Sequence, residues 1–159
     1  MWPWGHLASA YLVYAAYARF GRGHRPTAAA TLAGAVGSQA PDLVDKPLAM
    51  LGLVDLYQTA GHSLPVLVVG FVAIFVRREW TPFWLGWASH LLLDAFHMLL
   101  NGRPQDLLFL AWPAVEHTPA VDLPPIAFFL QYRWTPSFYV EFVVWGLLAS
   151  VLVADDASR

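Results

Sequence analysis

The chain has 159 residues, a net charge of −2 and a pI of about 6.3; 58% of the residues are hydrophobic and 13% charged. Soluble domains average about 45–50% apolar and about 25% charged residues, so this composition points to a membrane protein, and the near-neutral charge excludes the dense basic patch that nucleic-acid binding needs. Cysteine is absent, which removes disulfides, thiolate metal sites and cysteine nucleophiles together.

The apolar excess is spread over several segments, and Met1-Trp2-Pro3-Trp4-Gly5-His6 lacks the basic start of a cleavable signal peptide. One membrane-embedded domain over residues 1–159 is expected, all-α, a multi-pass transmembrane helix bundle of about five membrane helices plus short interfacial helices. The first helix is predicted over Gly5 to Phe20. The second runs from Thr27 to Leu43, where Ala30, Ala33, Gly34 and Gly37 give the small-xxx-small spacing that lets helices approach closely; this places it centrally. Lys46 to Tyr57 reads as a short interfacial helix. The third helix runs from about His62 to Val76, ahead of Arg77-Arg78, and the fourth from Pro82 to Leu100, opened by a first-turn proline. Five prolines between Gly102 and Trp134 predict a long loop with at most a helical turn, of which Leu107 to Val115 is the part that either dips into the membrane or stays above it. The fifth helix covers Pro136 to Ala154. Trp2, Trp4, Trp80, Trp84, Trp112 and Trp134 fall near helix ends, as an aromatic belt requires.

Placing the N-terminus outside and the C-terminus in the cytoplasm puts Arg19, Arg22, Arg25, Arg77, Arg78 and Arg159 inside, and Lys46, Arg103 and Arg133 outside. The excess inside follows the positive-inside rule. An inner or plasma membrane location is expected.

On that topology the ligand-type residues converge. His6 opens helix one, Asp42 and Asp45 end helix two, His62 starts helix three, His90 and Asp94 lie in the outer half of helix four, and Glu141 in the outer part of helix five. Residues at i and i+4 share a helical face, so His90 and Asp94 can grip one ion, with His97 a turn beyond. Ionisable groups inside a bilayer are expensive and mark functional sites. For a single residue the plainer reading, a helix cap or an inter-helix hydrogen bond, has about even odds. Ser63 is favoured as a cap and His24 as a solvated loop residue; Glu141 divides between the site and a pairing with Arg133, His97 divides evenly between support and ligation, and His117 is within reach without being required. The joint placement of His6, Asp42, Asp45, His62, His90 and Asp94 is what single-residue explanations do not account for.

At Pro3-Trp4-Gly5-His6, Gly37 to Asp45, Gly61-His62-Ser63 and Ser89 to Asp94 the sequence resembles the YdjM-like inner-membrane metal-dependent hydrolases. The order His, Asp, His, His-xxx-Asp is distantly similar to that of zinc-dependent phospholipases C. The resemblance implies His6, Asp42, His62, His90 and Asp94 as metal ligands and Asp45 as a ligand or general base. The further His and Glu ligands of the phospholipase pattern have no clear match after Asp94, which implies one or two ions rather than three. Zinc is the leading candidate and manganese the second.

The expected function is hydrolysis of an ester or phosphoester in a lipid-like substrate at the outer membrane face. His62, His90 and Asp94 hold the ion, Asp42 bridges to a second ion shared with His6, and Asp45 orients the attacking water. Ser38, Ser63 and Ser89 are candidate acceptors for the outer N–H groups of the ligand imidazoles. The alternative is a non-catalytic protein whose His/Asp cluster binds or transports divalent cations or locks the bundle. The inner halves of the helices lack acidic and His residues, which favours hydrolysis over a conduction path.

Overall fold

The computed structural model describes residues 1–115, 118–121 and 123–157. Its regular structure is helical: α1 (Pro3–Ala16), α2 (Ala28–Met50), α3 (Leu64–Val76), α4 (Thr81–Leu100), α5 (Pro125–Tyr132) and α6 (Pro136–Ala157). A π-helical stretch, Tyr17–Gly21, extends α1, and 3-10 segments cover Ala60–His62, Arg78–Trp80 and Pro104–Ala111. The five predicted membrane helices are present as α1, α2, α3, α4 and α6. Among the described residues, one of them, α6, is long and apolar enough to cross a membrane by length and composition. The others fall short of that test for identifiable reasons: α1 and α3 have 14 and 13 residues, and α2 and α4 carry the polar residues of the cluster.

α2 departs furthest from expectation. It does not stop at Leu43 but runs on to Met50, through Pro41 and Pro47, so Lys46–Met50 belongs to α2 and no separate interfacial helix forms before Tyr57. A proline inside a helix removes one N–H and crowds the preceding turn; neighbouring elements can take up the carbonyls so released. Here the Ser38 carbonyl, next to that turn, accepts a hydrogen bond from His90 on α4.

α1, α2 and α4 pack together at the centre, with α6 against α1 and α3 against α4. α2 and α4 approach closely at glycines, as the small-residue spacing predicted: Gly37 lies against the Phe83 carbonyl, and Gly34 faces Gly86. A Cβ placed on Gly86 would fall 2.1 Å from the Gly34 carbonyl oxygen, a distance no side chain survives. The proline-rich connection folds back over the bundle. Phe109 in its 3-10 segment is fully buried, 6.0 Å from the His62 ring between centroids, and the Ser63 hydroxyl donates to the Trp112 carbonyl at 2.8 Å.

The distribution of polarity is the reverse of a soluble domain's. His6, Ser38, Asp45, His62, His90 and Asp106 are buried, whereas Leu32, Val69, Val76, Leu92, Phe142 and Val153 are exposed on four different helices. An apolar exterior of this extent marks a surface that meets lipid or another protein. Trp4, Trp80 and Trp134 face outward. Trp2 and Trp84 instead pack inside the protein, Trp2 stacked on Phe129 at 4.4 Å and Trp84 on Trp87 at 5.0 Å.

Candidate metal centre

Helix direction alternates along the chain, and this gathers the start of α1, the second half of α2, the entry to α3 and the second half of α4 into one polar cluster. His62 and His90 meet Nε2 to Nε2 at 3.1 Å. Asp42 Oδ1 lies 3.5 Å from His62 Nε2 and 3.8 Å from His90 Nε2, and Asp94 Oδ2 lies 3.6 and 3.5 Å from the same two nitrogens. Four ligands bound tetrahedrally at the usual zinc–nitrogen and zinc–oxygen lengths stand about 3.3 Å from one another. Five of the six edges of this quartet therefore have the dimensions of one coordination shell. The donor set, two imidazoles and two carboxylates, suits a borderline divalent ion.

The orientation of the two imidazoles is fixed from behind. His62 Nδ1 is 2.8 Å from Asp45 Oδ2, and His90 Nδ1 is 2.6 Å from the Ser38 carbonyl oxygen. A carbonyl only accepts, so His90 carries its proton on Nδ1 and turns the Nε2 lone pair toward the cluster. Carboxylate and carbonyl acceptors behind ligand histidines are the standard support of a metal site.

Asp45 is not placed as a base or as a ligand. Its Oδ2 accepts from the Thr59 and His62 backbone N–H groups at 2.7 and 3.2 Å and from His62 Nδ1, and its Oδ1 accepts from the Thr59 hydroxyl and the Gly61 N–H, each at 2.9 Å. The carboxylate is wholly buried and its acceptor capacity is taken up, so no oxygen remains for a water molecule. It folds the 59–62 turn around itself and aims His62. Gly61 makes room for this: a Cβ there would sit 2.7 Å from the Pro41 carbonyl oxygen and 3.2 Å from Asp45 Cγ.

His6 stacks on His90 with centroids 3.8 Å apart, and its Nε2 is 3.4 Å from Asp94 Oδ1, the oxygen turned away from His62 and His90. The Met1 amine reaches the same oxygen at 3.2 Å. Two triads that could hold an ion result, Asp42–His62–His90 and His6–His90–Asp94. The carboxylate between the two positions is Asp94, not Asp42 as expected. Asp42 Oδ2 pairs with Lys46 one turn on, a contact that exists because α2 continues past Pro41. Of the three imidazoles, His6 alone is not held through Nδ1, which is buried without a partner among the described residues.

Burial opposes charge on His62, but hydrogen bonds to Asp42, Asp45 and Asp94 outweigh it and raise its pKa from 6.5 to about 10. The charged imidazole neutralises part of the carboxylate charge, a part that a divalent ion held by the cluster could take over.

The other predicted residues stand apart from the cluster. Ser38 supports His90 through its backbone carbonyl, while its hydroxyl donates to the Ala35 carbonyl at 2.8 Å. Ser63 ties down the loop, and the Ser89 hydroxyl donates to the Gly86 carbonyl at 2.7 Å; neither accepts from a ligand histidine. His97 has both ring nitrogens engaged elsewhere, at 2.7 Å with Ser137 Oγ and 3.1 Å with Arg103 Nη2. Glu141 accepts the Trp2 backbone N–H at 2.7 Å and anchors the start of α1; Arg133 bonds the Leu130 carbonyl instead. His117 lies outside the described residues. Sequence reasoning missed Gln58, whose amide donates to Asp94 Oδ2 at 3.1 Å, and Thr59 on Asp45. Both sit in a segment with no helical period to place them.

His6, Asp42 and Asp94 line one wall of a cavity of about 330 Å³. Its other walls come from the 56–58 turn, the end of α4 and the 119–129 segment, and include Leu56, Met98, Val121, Leu123 and Phe129.

No curated protein and no solved structure matches the chain. The family model of the YdjM inner membrane proteins matches residues 1–156, essentially all of it, and the chain belongs to that family.

Proposed function

We propose that this protein is a multi-pass membrane hydrolase, with its N-terminus outside and its C-terminus in the cytoplasm, that cleaves an ester or phosphoester of a lipid-like substrate at the membrane surface. The observation that carries this reading is the opening of the His/Asp cluster, through Asp42 and Asp94, into a cavity whose remaining walls are largely apolar. The apolar residues exposed around α1, α2, α3, α4 and α6 support several crossings, and Asp42 and Asp45 on α2 and His90 and Asp94 on α4, which lower the hydropathy of those helices, point inward to the cluster.

His62, His90 and Asp94, whose donor atoms lie 3.1–3.6 Å apart, would hold the first ion and leave a position for water. His6 with Asp94 Oδ1 offers a second position. A divalent ion held in this way brings the pKa of a coordinated water from 15.7 to about 7. The residues of the chain do the rest. Asp45 and the Ser38 carbonyl keep the imidazole lone pairs aimed inward. Asp42, which lines the cavity and is steadied by Lys46, is the carboxylate left to orient the attacking water as a hydrogen-bond acceptor. The apolar walls hold the substrate chain and exclude bulk water from the reacting bond.

Purified protein in lipid nanodiscs, assayed against lipid and short-chain ester and phosphoester substrates with its metal content measured in parallel, tests the reading. Turnover is expected to require stoichiometric metal and to vanish in His90→Ala. Full activity after metal removal, or divalent-cation flux through vesicles with no hydrolytic product, would overturn it.

A further inference from the structure

Arg103 lines the same cavity as His6, Asp42 and Asp94, and its guanidinium is held from two sides. Nη1 donates to Asp106 Oδ2 at 2.8 Å and Nη2 to His97 Nε2 at 3.1 Å. Both partners are anchored in turn. Asp106 is 1% exposed and accepts the Ala120 backbone N–H at 2.8 Å. His97 Nδ1 lies 2.7 Å from Ser137 Oγ on α6. Arginine only donates, so His97 Nε2 must be an acceptor, and the ring is neutral with its proton directed at Ser137. Among the described residues the remaining guanidinium N–H groups have no protein acceptor. A mostly buried guanidinium held rigidly, with donors to spare, is suited to an oxyanion such as a phosphate, two of whose oxygens it can bind in a two-pronged hydrogen-bonded pair.

We propose that Arg103 is the anion-recognising residue of the cavity and that the occupant is an amphiphile with a phosphate head on an alkyl chain. This deepens the hydrolase reading and rests on it only in placing the head beside the metal ligands. The volume agrees: about 330 Å³ lies at the small end of ligand pockets, which span about 300–1,000 Å³. It holds a head and a short stretch of one chain, not two acyl chains. Asp106 and His97 are positioning residues; they set the guanidinium and do not touch the ligand.

The test is titration calorimetry on zinc-loaded protein in zwitterionic nanodiscs, with hexyl phosphate, inorganic phosphate and hexanol as separate probes. Hexyl phosphate is expected to bind at least tenfold more tightly than either of the others. Arg103→Gln is expected to weaken hexyl phosphate by about tenfold to a hundredfold, the range for a lost hydrogen bond to a charged group, and to leave hexanol unchanged. Arg103→Lys, which keeps the charge but not the fork, should recover only part of the loss. Inorganic phosphate binding as tightly as hexyl phosphate would overturn the amphiphile. Equal affinities in the wild type and Arg103→Gln would overturn the residue assignment. A wild type that prefers hexanol would overturn the whole proposal without any variant. Tight, Arg103-dependent binding without turnover of any ester would sink the hydrolase reading and leave this one standing; turnover of neutral esters with no anion preference would do the reverse.

Discussion

Replacing Asp45 with Asn separates support of the metal centre from ligation of the metal. The side chain keeps its shape, but one of two oxygens becomes an NH2 group, and each oxygen now faces donors only. With the amide nitrogen at the Oδ1 position, the Gly61 N–H at 2.9 Å loses its acceptor; at the Oδ2 position, the Thr59 and His62 N–H groups at 2.7 and 3.2 Å lose theirs. The Thr59 hydroxyl can turn to accept, so the first arrangement is the cheaper one. A buried donor left without a partner costs about 1–3 kcal/mol, and at least one is created either way. His62 also exchanges a carboxylate for a neutral acceptor behind Nδ1, a change that costs about tenfold to a hundredfold in metal affinity. Competition with a chromophoric chelator measures the affinity, and elemental analysis at saturating metal measures the stoichiometry. The expected result is weaker binding at unchanged stoichiometry. Affinity within twofold of the wild type would refute the supporting role, and loss of the ion at saturation would make Asp45 a ligand.

Gly61→Ala sets a methyl group against the Pro41 carbonyl oxygen at 2.7 Å, where backbone cannot yield, so the turn carrying His62 must move off α2; metal affinity should fall about tenfold or more with helical circular dichroism retained, and unchanged affinity would contradict the packing. His6→Ala should keep one bound ion per chain while turnover drops, because His62, His90 and Asp94 come together without it; a metal-free product would move His6 into the primary shell. The pKa of His62, raised to about 10, means the folded metal-free protein keeps a proton that the unfolded chain releases near 6.5. Its contribution is fully present below pH 6.5 and lost as pH rises through 10, so the melting temperature of chelated protein should decline across that window; a flat profile would show that His62 is not charged in the apo state.

What could be read in the sequence was what periodicity and composition carry. α4 was placed within a residue at its start because Pro82 is a first-turn residue and the apolar Phe83-Trp84-Leu85 follows it, and the His90–Asp94 spacing follows from helical geometry alone. The end of α2 was misplaced because Pro41 and Pro47 are local stop signals, and only tertiary structure keeps the helix going through them. The ligand types were visible, but their division of labour was not. Asp42 and Asp45 look alike in sequence, and it is the 59–62 turn, without a pattern of its own, that encloses one and leaves the other facing the cavity. The role of Arg103 was hidden for the same reason: His97, Asp106 and Ser137 are brought together from three elements by folding.

The glycine contact between α2 and α4 has a further consequence. Ser38 and His90 each lie four residues beyond the facing glycines Gly34 and Gly86, on helices running the same way, so the bond between them is a one-turn projection of that contact. A metal ion held by His90 would pull through this bond on the seam between the two helices. Filling the centre should tighten the seam, and prising the seam apart should release the ion, so cargo and scaffold are thermodynamically one object.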